Sequence, residues 1–342
     1  MTKLNSTDSE TLGVLINNLG TPDSYRVDDV KKFLKEFLWD PRVVKISRPV
    51  WWFVLNIIIL NTRPKKSAAA YKKVWTEHGS PLLSMSKKQT GLIRQTLHKT
   101  YRNTLANTRV ELGMRYGNPS IEEGLSNLRD AGATRFLIVP LYPQFSYTTT
   151  ASVEDEVIKI LQKWEWQKRQ KCRGPNFKII RHYFDNPDYI EALAKSVTTY
   201  RNQNGRAEKL LMSFHGIPQK YADDGDPYAS ECRQTAHLLA QSLNLKPDQW
   251  QLSFQSRLGY KKWLTPYTNH ILHNLGKQGI QSIQVICPGF SADCLETLAE
   301  IAMENRDVFL EAGGKEYSYI PCLNDSEDHI KMLSDQIIQY IK

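Results

Sequence analysis

Long apolar runs are missing from this chain of 342 residues. The most apolar stretch, Val50-Trp-Trp-Phe-Val-Leu-Asn-Ile-Ile-Ile-Leu60, is about half the length a membrane span needs, which excludes a spanning helix there. Cysteine is scarce: Cys172, Cys232, Cys287, Cys294 and Cys322 are the five, and no two stand at C-x-x-C spacing. An odd count at such spacings excludes a disulfide framework and gives no reason to expect an iron–sulfur cluster, which needs four convergent thiolates. No signal-peptide pattern opens the chain, so a reducing cytoplasm is the expected home. Neither G-x-G-x-x-G nor G-x-x-x-x-G-K-[ST] occurs, which removes the usual phosphate-cradling loops and with them nucleotide-dependent functions. G-x-S-x-G and H-E-x-x-H are absent too, so neither a serine nucleophile elbow nor a zinc-protease helix is expected.

What is present is a globular composition, 41% hydrophobic and 24% charged, at a length that suits two domains of about 150 residues. The net charge of +9 favours an anionic partner. The basic residues are scattered, with clusters only at Arg63–Lys66 and Trp166–Lys171. A nucleic-acid reader would gather them in a stripe or a named motif, so no nucleic-acid partner is expected. Eight Trp and 16 Tyr are enough to line a pocket for a flat ligand after furnishing the core.

Strand-like segments alternate with helical ones. Leu12–Asn18, Val110–Tyr116, Arg135–Tyr142, Lys178–Phe184, Lys209–Phe214, Trp250–Ser256 and Ser282–Pro288 read as strands, and Ser120–Ala131 and Pro187–Arg201 as helices. Alternation of this kind predicts parallel sheets wrapped by helices, with ligands outside the carboxyl ends of the strands. The chain also repeats itself. "GVLINNLGTP" matches "KLLMSFHGIP", and "FLIVPLYPQFSYTTTASVEDEV" matches "IQVICPGFSADCLETLAEI", in the same order. Two copies of one doubly wound unit are therefore expected: residues 1–172, residues 173–325, and a C-terminal helix over 326–342. The turn-rich "KCRGPNFK" (Lys171–Lys178) marks the boundary. The first copy is the longer, through an insertion over about residues 40–90 that contains the Val50–Leu60 run. That run reads either as a buried helix or as an apolar flap. As a flap it would cover a ligand or meet an anionic bilayer surface through Trp51, Trp52 and its basic neighbours.

His215 ends a core strand and is followed by Asp223, Asp224 and Asp226. In the same half, the segment Pro288–Asn305 leaves another strand end and carries Glu296, Glu300 and Glu304 at intervals of four. On an α-helix those carboxylates would stack on one face. A histidine opposite a carboxylate suits weak binding of a divalent metal and proton acceptance near neutral pH. With no third histidine near and no cysteine cluster, a transient metal fits better than a stored one.

These residues carry a resemblance. "SFHGIPQKYADDGDPYASECRQTA", "PGFSADCLETLAEI", "INNLGTP", "HGSPLLSMSKKQ", "GMRYGNPSIEEGL" and "PLYPQFSYTTTAS" are similar, in this order, to the sequence blocks of the ferrochelatases. Those enzymes insert ferrous iron into a porphyrin to make haem. The resemblance runs from about Leu12 to Asn324. It implies two similar doubly wound, Rossmann-like parallel-sheet domains of chelatase type with the active-site cleft between them. By the resemblance, His215 and Glu296 are the catalytic and metal-facing pair, and Glu300 and Glu304 continue a metal or proton path. Leu19, Arg63, Tyr71, Arg115, Tyr142, Trp263 and Phe290 fall at porphyrin-binding positions, and Val50–Leu60 at an apolar lip. Many members carry His where this chain has Cys294. The tail that holds an iron–sulfur cluster in some members is not found here. The implied partners are porphyrin and ferrous iron, with no permanently bound cofactor, no nucleotide, and a peripheral contact with anionic membrane. Protoporphyrin IX is the expected substrate. The alternatives are coproporphyrin, a cobalt or nickel chelatase acting on another tetrapyrrole, or a haem or porphyrin carrier, which would leave the acidic helix idle.

Overall fold

A computed structural model of the chain describes residues 11–100, 108–168, 177–257, 259 and 261–341. Two four-stranded sheets, every pairing parallel, form its frame. The first runs β2-β1-β3-β4: β1 is Leu12–Thr21, β2 Arg109–Gly117, β3 Arg135–Pro140 and β4 Phe177–Ile179. The second runs β6-β5-β7-β8: β5 is Lys209–His215, β6 Trp250–Gln255, β7 Ser282–Ile286 and β8 Glu316–Ile320. The order is the same in both, so the internal echo in the sequence is a duplicated sheet. The central strands β1 and β5 are buried on both faces, which is why they read as continuous apolar runs rather than alternating ones.

Both lead strands end in Gly-x-Pro, and both glycines are required there. Gly20 has φ +106°, and a Cβ on it would lie 1.7 Å from the Tyr116 carbonyl oxygen. A Cβ on Gly216 would lie 2.9 Å from the Gln255 carbonyl oxygen. Each strand thus leaves the sheet against its neighbour's backbone, at the carboxyl edge where ligands bind in such folds.

The helices are α1 (Val27–Trp39), α2 (Arg48–Phe53), α3 (Leu60–Val74), α4 (Pro81–Thr100), α5 (Ile121–Asp130) and α6 (Thr150–Lys168). They continue with α7 (Pro187–Asn204), α8 (Gln219–Asp223), α9 (Tyr228–Ser242), α10 (Thr268–Lys277), α11 (Asn305–Glu311) and α12 (Glu327–Ile341). Two π-helical stretches, Val54–Ile59 and Glu296–Glu304, join α2 to α3 and lead into α11.

Three expectations need correction. The segment Lys178–Phe184 is strand only to Ile179: its partner β3 runs into Pro140 and Pro143, and a ladder cannot continue past residues without an N–H. The edge strand β8 was not foreseen, being short, polar in part and half exposed. The first sheet does not close at residue 172, because β4 lies beyond it and pairs with β3. Most of the Lys171–Lys178 turn, Cys172 and the side chains of the Trp166–Lys171 cluster lie outside the described residues.

The halves are also interlaced. α7 follows the first sheet but packs on α9 of the second half, and α12 follows the second sheet but packs on α4 of the first. One core therefore contains Val14, Ile16 and Met114 from the first sheet, Leu210, Met212 and Phe214 from the second, and Leu193 and Ile337 from the crossing helices.

The insertion forms a lip. Trp51, Leu55 and Leu60 are buried against Leu38, and Trp51 Nε1 donates to the Leu38 carbonyl at 2.7 Å. The other face leaves Trp52 54%, Phe53 56% and Ile57 51% exposed, with Val50 and Ile58 beside them. The run is apolar all round, but a lone helix laid on a domain buries only one face, so one face is core and the other is exposed. Among the described residues no helix is long and apolar enough to cross a membrane.

Candidate active site

His215 is the last residue of β5, in register with Gln255 on β6. Gly216 turns the chain away, its N–H donating to the Gln255 carbonyl at 2.8 Å. The half-buried imidazole meets the Gly216 carbonyl through Nδ1 at 2.6 Å. A carbonyl only accepts, so the neutral ring carries its proton on Nδ1 and presents a bare Nε2 lone pair. Phe290 stands beside it with ring centroids 6.4 Å apart. Trp263 lies against the following turn: it bridges to Pro218, and its Cε3 would be 3.2 Å from a Cβ on Gly216. Glycine at 216 is what lets this indole lie against the strand-end turn.

The glutamates stand on the π-helix Glu296–Glu304 rather than on the α-helix their spacing suggests. The wider turn frees carbonyls, and side chains take them up: Asn305 Nδ2 donates to Glu300 O at 2.9 Å and Tyr317 Oη to Ile301 O at 2.7 Å. The β6 end fixes the start of this helix. Gln255 Nε2 donates to Glu296 O at 3.2 Å. Ser256, at φ +66°, gives Glu300 both its N–H, at 2.7 Å, and its hydroxyl. Burial pushes the Glu300 carboxyl up from its ordinary value; the Ser256 bonds and the neighbouring His215 oppose this, and Glu296 adds to it. His215, Glu296 and Glu300 thus share one electrostatic space. Burial falls along the helix, from half-buried Glu296 and Glu300 to exposed Glu304. Glu300 and Glu304 line a cavity of about 250 Å³ with Ser256, Arg257, Tyr267 and Asn269. Among the described residues no three His, Cys, Asp or Glu side chains converge as a metal cage.

Several expected wall residues come together. Leu19 and Phe290 pack with Leu82, Met85, Ala292 and Cys294. Tyr71 packs through the lip helix α3 on Leu295. Its phenol is pushed well up by burial, with the nearby Glu296 and Cys294 adding to it. Burial likewise raises the Cys294 thiol well above its ordinary value, with Glu296 adding to it. A small apolar thiol, not a second basic ring, therefore occupies that position. Leu82 and Met85 were legible only as part of the block "HGSPLLSMSKKQ".

The two arginines differ. Arg63 on α3 is exposed and makes no ion pair among the described residues. Arg115 is held in the first half: its Nη2 lies 2.6 Å from Asp40 Oδ2, and its Nε donates to Ser152 Oγ at 2.7 Å. Tyr116 and Ser152 also donate to that Asp40 oxygen, at 2.8 and 2.5 Å. Arg115 is thus the cation of a buried knot at Asp40, where the lip begins. Tyr142 sits beside it with a buried hydroxyl that has no hydrogen-bond partner.

The acids that follow His215 have structural tasks. Asp224 pairs with Lys220 and Asp223 with Gln219 on the exposed turn. Buried Asp226 reaches the other half, accepting from Ser146 Oγ and Tyr147 N, both at 2.8 Å. Glu231 does the same for Phe145 N at 2.6 Å. They tie the histidine's loop to the Pro143–Thr149 loop of the first half, and nothing in the local sequence reveals it.

A family model described as Ferrochelatase matches residues 11–341. A ferrochelatase of Thioalkalivibrio sulfidiphilus is 48% identical over 333 residues, covering 97% of this chain and 88% of the relative. "Ferrochelatase 1" of Shewanella oneidensis is 50% identical over 326 residues, covering 95% and 94%. Among solved structures, SirB from Bacillus subtilis with Fe3+ superposes with a TM-score of 0.52 at 11% identity, covering 96% of this chain and 95% of that one. At that identity the likeness bears on the fold alone, and it shows the two-sheet chelatase arrangement. With the family's pattern running almost from end to end and relatives about half identical over nearly their whole length, the chain belongs to the ferrochelatase family of metal chelatases.

Proposed function

We propose that the protein inserts ferrous iron into protoporphyrin IX, releasing two protons and forming protohaem, with the porphyrin in the cleft beside His215. The observation that carries this reading is a strand-end His215 whose Nδ1 is engaged by the Gly216 carbonyl, leaving Nε2 free to accept, within electrostatic reach of Glu300, which also feels Glu296. A porphyrin has two central N–H groups that must leave before iron can occupy the four nitrogens. His215 accepts one proton. Glu296 stabilises the imidazolium and takes part in removing the second, and Glu300 and Glu304 conduct protons or iron between the site and the polar cavity. Iron is a substrate held in passing by His215 and Glu296 rather than a resident ion. The porphyrin nitrogens complete the coordination, so iron passes through as substrate.

Leu19, Tyr71, Trp263 and Phe290 form the apolar walls that press the ring out of plane, which costs about 1–5 kcal/mol of binding energy. Arg63, exposed and without an ion pair among the described residues, is the cation for a propionate. Arg115 and Tyr142 support the lip's root on the porphyrin side. The exposed lip face, with Lys65 and Lys66 near it, rests on anionic lipid at the inner face of the membrane, where the cytoplasmic enzyme exchanges poorly soluble ligands. The test is anaerobic metallation of protoporphyrin and coproporphyrin by wild type and His215→Ala. Protoporphyrin turnover should fall more than tenfold in the variant while porphyrin binding persists. Retention of over about a tenth of the turnover, a loss under 1.4 kcal/mol, would remove His215 as principal base. Preference for coproporphyrin would move the reading to the earlier substrate.

A further inference from the structure

We propose that Tyr221 is a positioning residue that latches the lip to the loop carrying His215, and so holds the lip closed over the cleft. The lip springs from the segment 40–47 between α1 and α2. Within its own half that segment is pinned at Asp40 by Arg115, Tyr116 and Ser152. Arg42 adds a bidentate pair to Asp155, at 2.6 and 3.0 Å. At its far end Arg48 lies over the Trp39 ring at 4.2 Å and donates to the Trp39 carbonyl.

Between those anchors the segment has no regular structure, and the other half supplies its partner. Tyr221 Oη donates to the Val43 carbonyl at 3.0 Å and accepts the Lys45 N–H at 3.2 Å. One phenol therefore satisfies a backbone acceptor and a backbone donor of the lip root. Its ring is buried, 8% exposed, on the short helix α8 that follows the His215-Gly-Ile-Pro turn directly. Lys45 reinforces the contact. Its Nζ lies 4.5 Å from the Tyr221 ring centre and 5.4 Å from that of Tyr147, a cation shared by two rings. Tyr147 in turn donates its hydroxyl to the Gly225 carbonyl at 3.2 Å.

The lip is thus tied to the second half at two roots. Tyr71 packs against Leu295 beside the π-helix of Glu296, and Tyr221 joins segment 40–47 to the loop of His215. One root meets the residue that precedes the π-helix of Glu296, and the other comes from the helix that follows the strand of His215. The lip and the pair are one assembly, so closing the lip sets the ring's distance from both residues. The Tyr221 hydroxyl bonds to the backbone of the lip root, so its effect belongs in substrate capture rather than in chemistry.

This inference rests on the reading of the lip as the porphyrin's cover, and the experiment separates the two. Tyr221→Phe removes the hydroxyl and keeps the ring. In the variant, amide hydrogen exchange over residues 43–60 should quicken at least tenfold. The KM for porphyrin should rise at least fivefold, with kcat within twofold of wild type and an unchanged Tm. Lys45→Met, which leaves the backbone contacts in place, should raise KM in the same direction by less. Exchange no faster than in wild type would mean there is no latch. Faster exchange with KM unchanged would mean that the latch does not serve substrate capture. A fall in kcat at unchanged KM would place Tyr221 in the chemistry. Each of these three outcomes overturns the inference. A wild type that metallates no porphyrin but shows the Tyr221-dependent exchange would instead overturn the proposed function.

Discussion

The Gly216 carbonyl decides which nitrogen of His215 is bare, and a comparable local choice governs Glu231 across the interface. Its carboxyl is raised from 4.5 to about 7, first by burial, with the Phe145 N–H opposing and Asp185 and Asp226 adding. The folded state therefore holds this proton more tightly than the unfolded chain does. Its contribution to stability is most favourable below about 4.5, declines as pH rises through the window up to about 7, and is least favourable above it. Glu231→Gln keeps an acceptor for Phe145 N–H but has no proton to lose. The variant should melt a few degrees above wild type at pH 8 and nearly level with it at pH 4.5. Equal melting differences at the two pH values would show that the charge is not what burial penalises. His215 was legible in the sequence because a strand that breaks at His-Gly-x-Pro can only aim its last side chain into the crevice. Tyr221, Glu231 and Ser256 were not legible. Their partners stand far away in the chain at Val43, Phe145 and Glu300, and Ser256 acts through a positive φ that its identity does not announce.

Helices were easier to place than to characterise. The apolar run and the glutamate series both read as ordinary helix, yet both contain π-helical turns, a form that recurs at functional sites. The cause is polar side chains that accommodate displaced carbonyls. In the lip, Asn56 Nδ2 donates to Trp52 O at 2.8 Å, Asn61 Nδ2 to Ile57 O at 2.9 Å and Thr62 Oγ1 to Ile58 O at 2.9 Å. These are isolated Asn and Thr residues in an apolar stretch, and only the turn geometry gives them meaning. The same geometry divides the lip's aromatic pair. Trp51 belongs to the core, and Arg48 is engaged with Trp39. The set proposed to face the membrane is accordingly Trp52, Phe53, Ile57 and Ile58, with Arg63, Lys65 and Lys66 as the exposed cations. Burying four such side chains at about 1.5–3 kcal/mol each, with about 1 kcal/mol from each cation on anionic lipid, is enough for reversible, salt-sensitive binding. Vesicles containing anionic lipid should carry the folded protein upward in flotation at low salt and release it at high salt. Joint replacement of Trp52, Phe53 and Ile57 by Ser should abolish flotation with little change in Tm, whereas Trp51→Ser should cost stability. Failure of the wild type to float at low salt would return this face to ligand cover alone.

At the scale of the whole molecule, the duplicated sheet was visible in the repeated blocks, because identical strand orders impose similar strand ends. The interlacing was not visible, since α7 and α12 each follow a sheet of one half and are buried by the other. Only tertiary packing decides which half a helix covers. That exchange changes what the halves are: with one core running through Met114, Phe214, Leu193 and Ile337, neither sheet is closed off from water without the other's helix. Polar ties add to the dependence. Gln89 Nε2 from α4 donates to Ser291 O at 3.0 Å and to Asn324 O at 2.8 Å, and Asp226 and Glu231 bind the Pro143–Thr149 loop. A cleft between independently stable domains would open and close by hinge motion, whereas sheets joined through one core have less freedom for it. The two halves should accordingly unfold together. Calorimetry should give one transition whose van't Hoff and calorimetric enthalpies agree. Ile337 on α12 is fully buried, so Ile337→Ala should cost about 2–5 kcal/mol and lower the melting of both sheets equally, as followed by amide exchange in β1 and in β5. Two resolved transitions, or a loss of protection confined to one sheet, would mean that the crossing helices decorate two separable domains rather than join them.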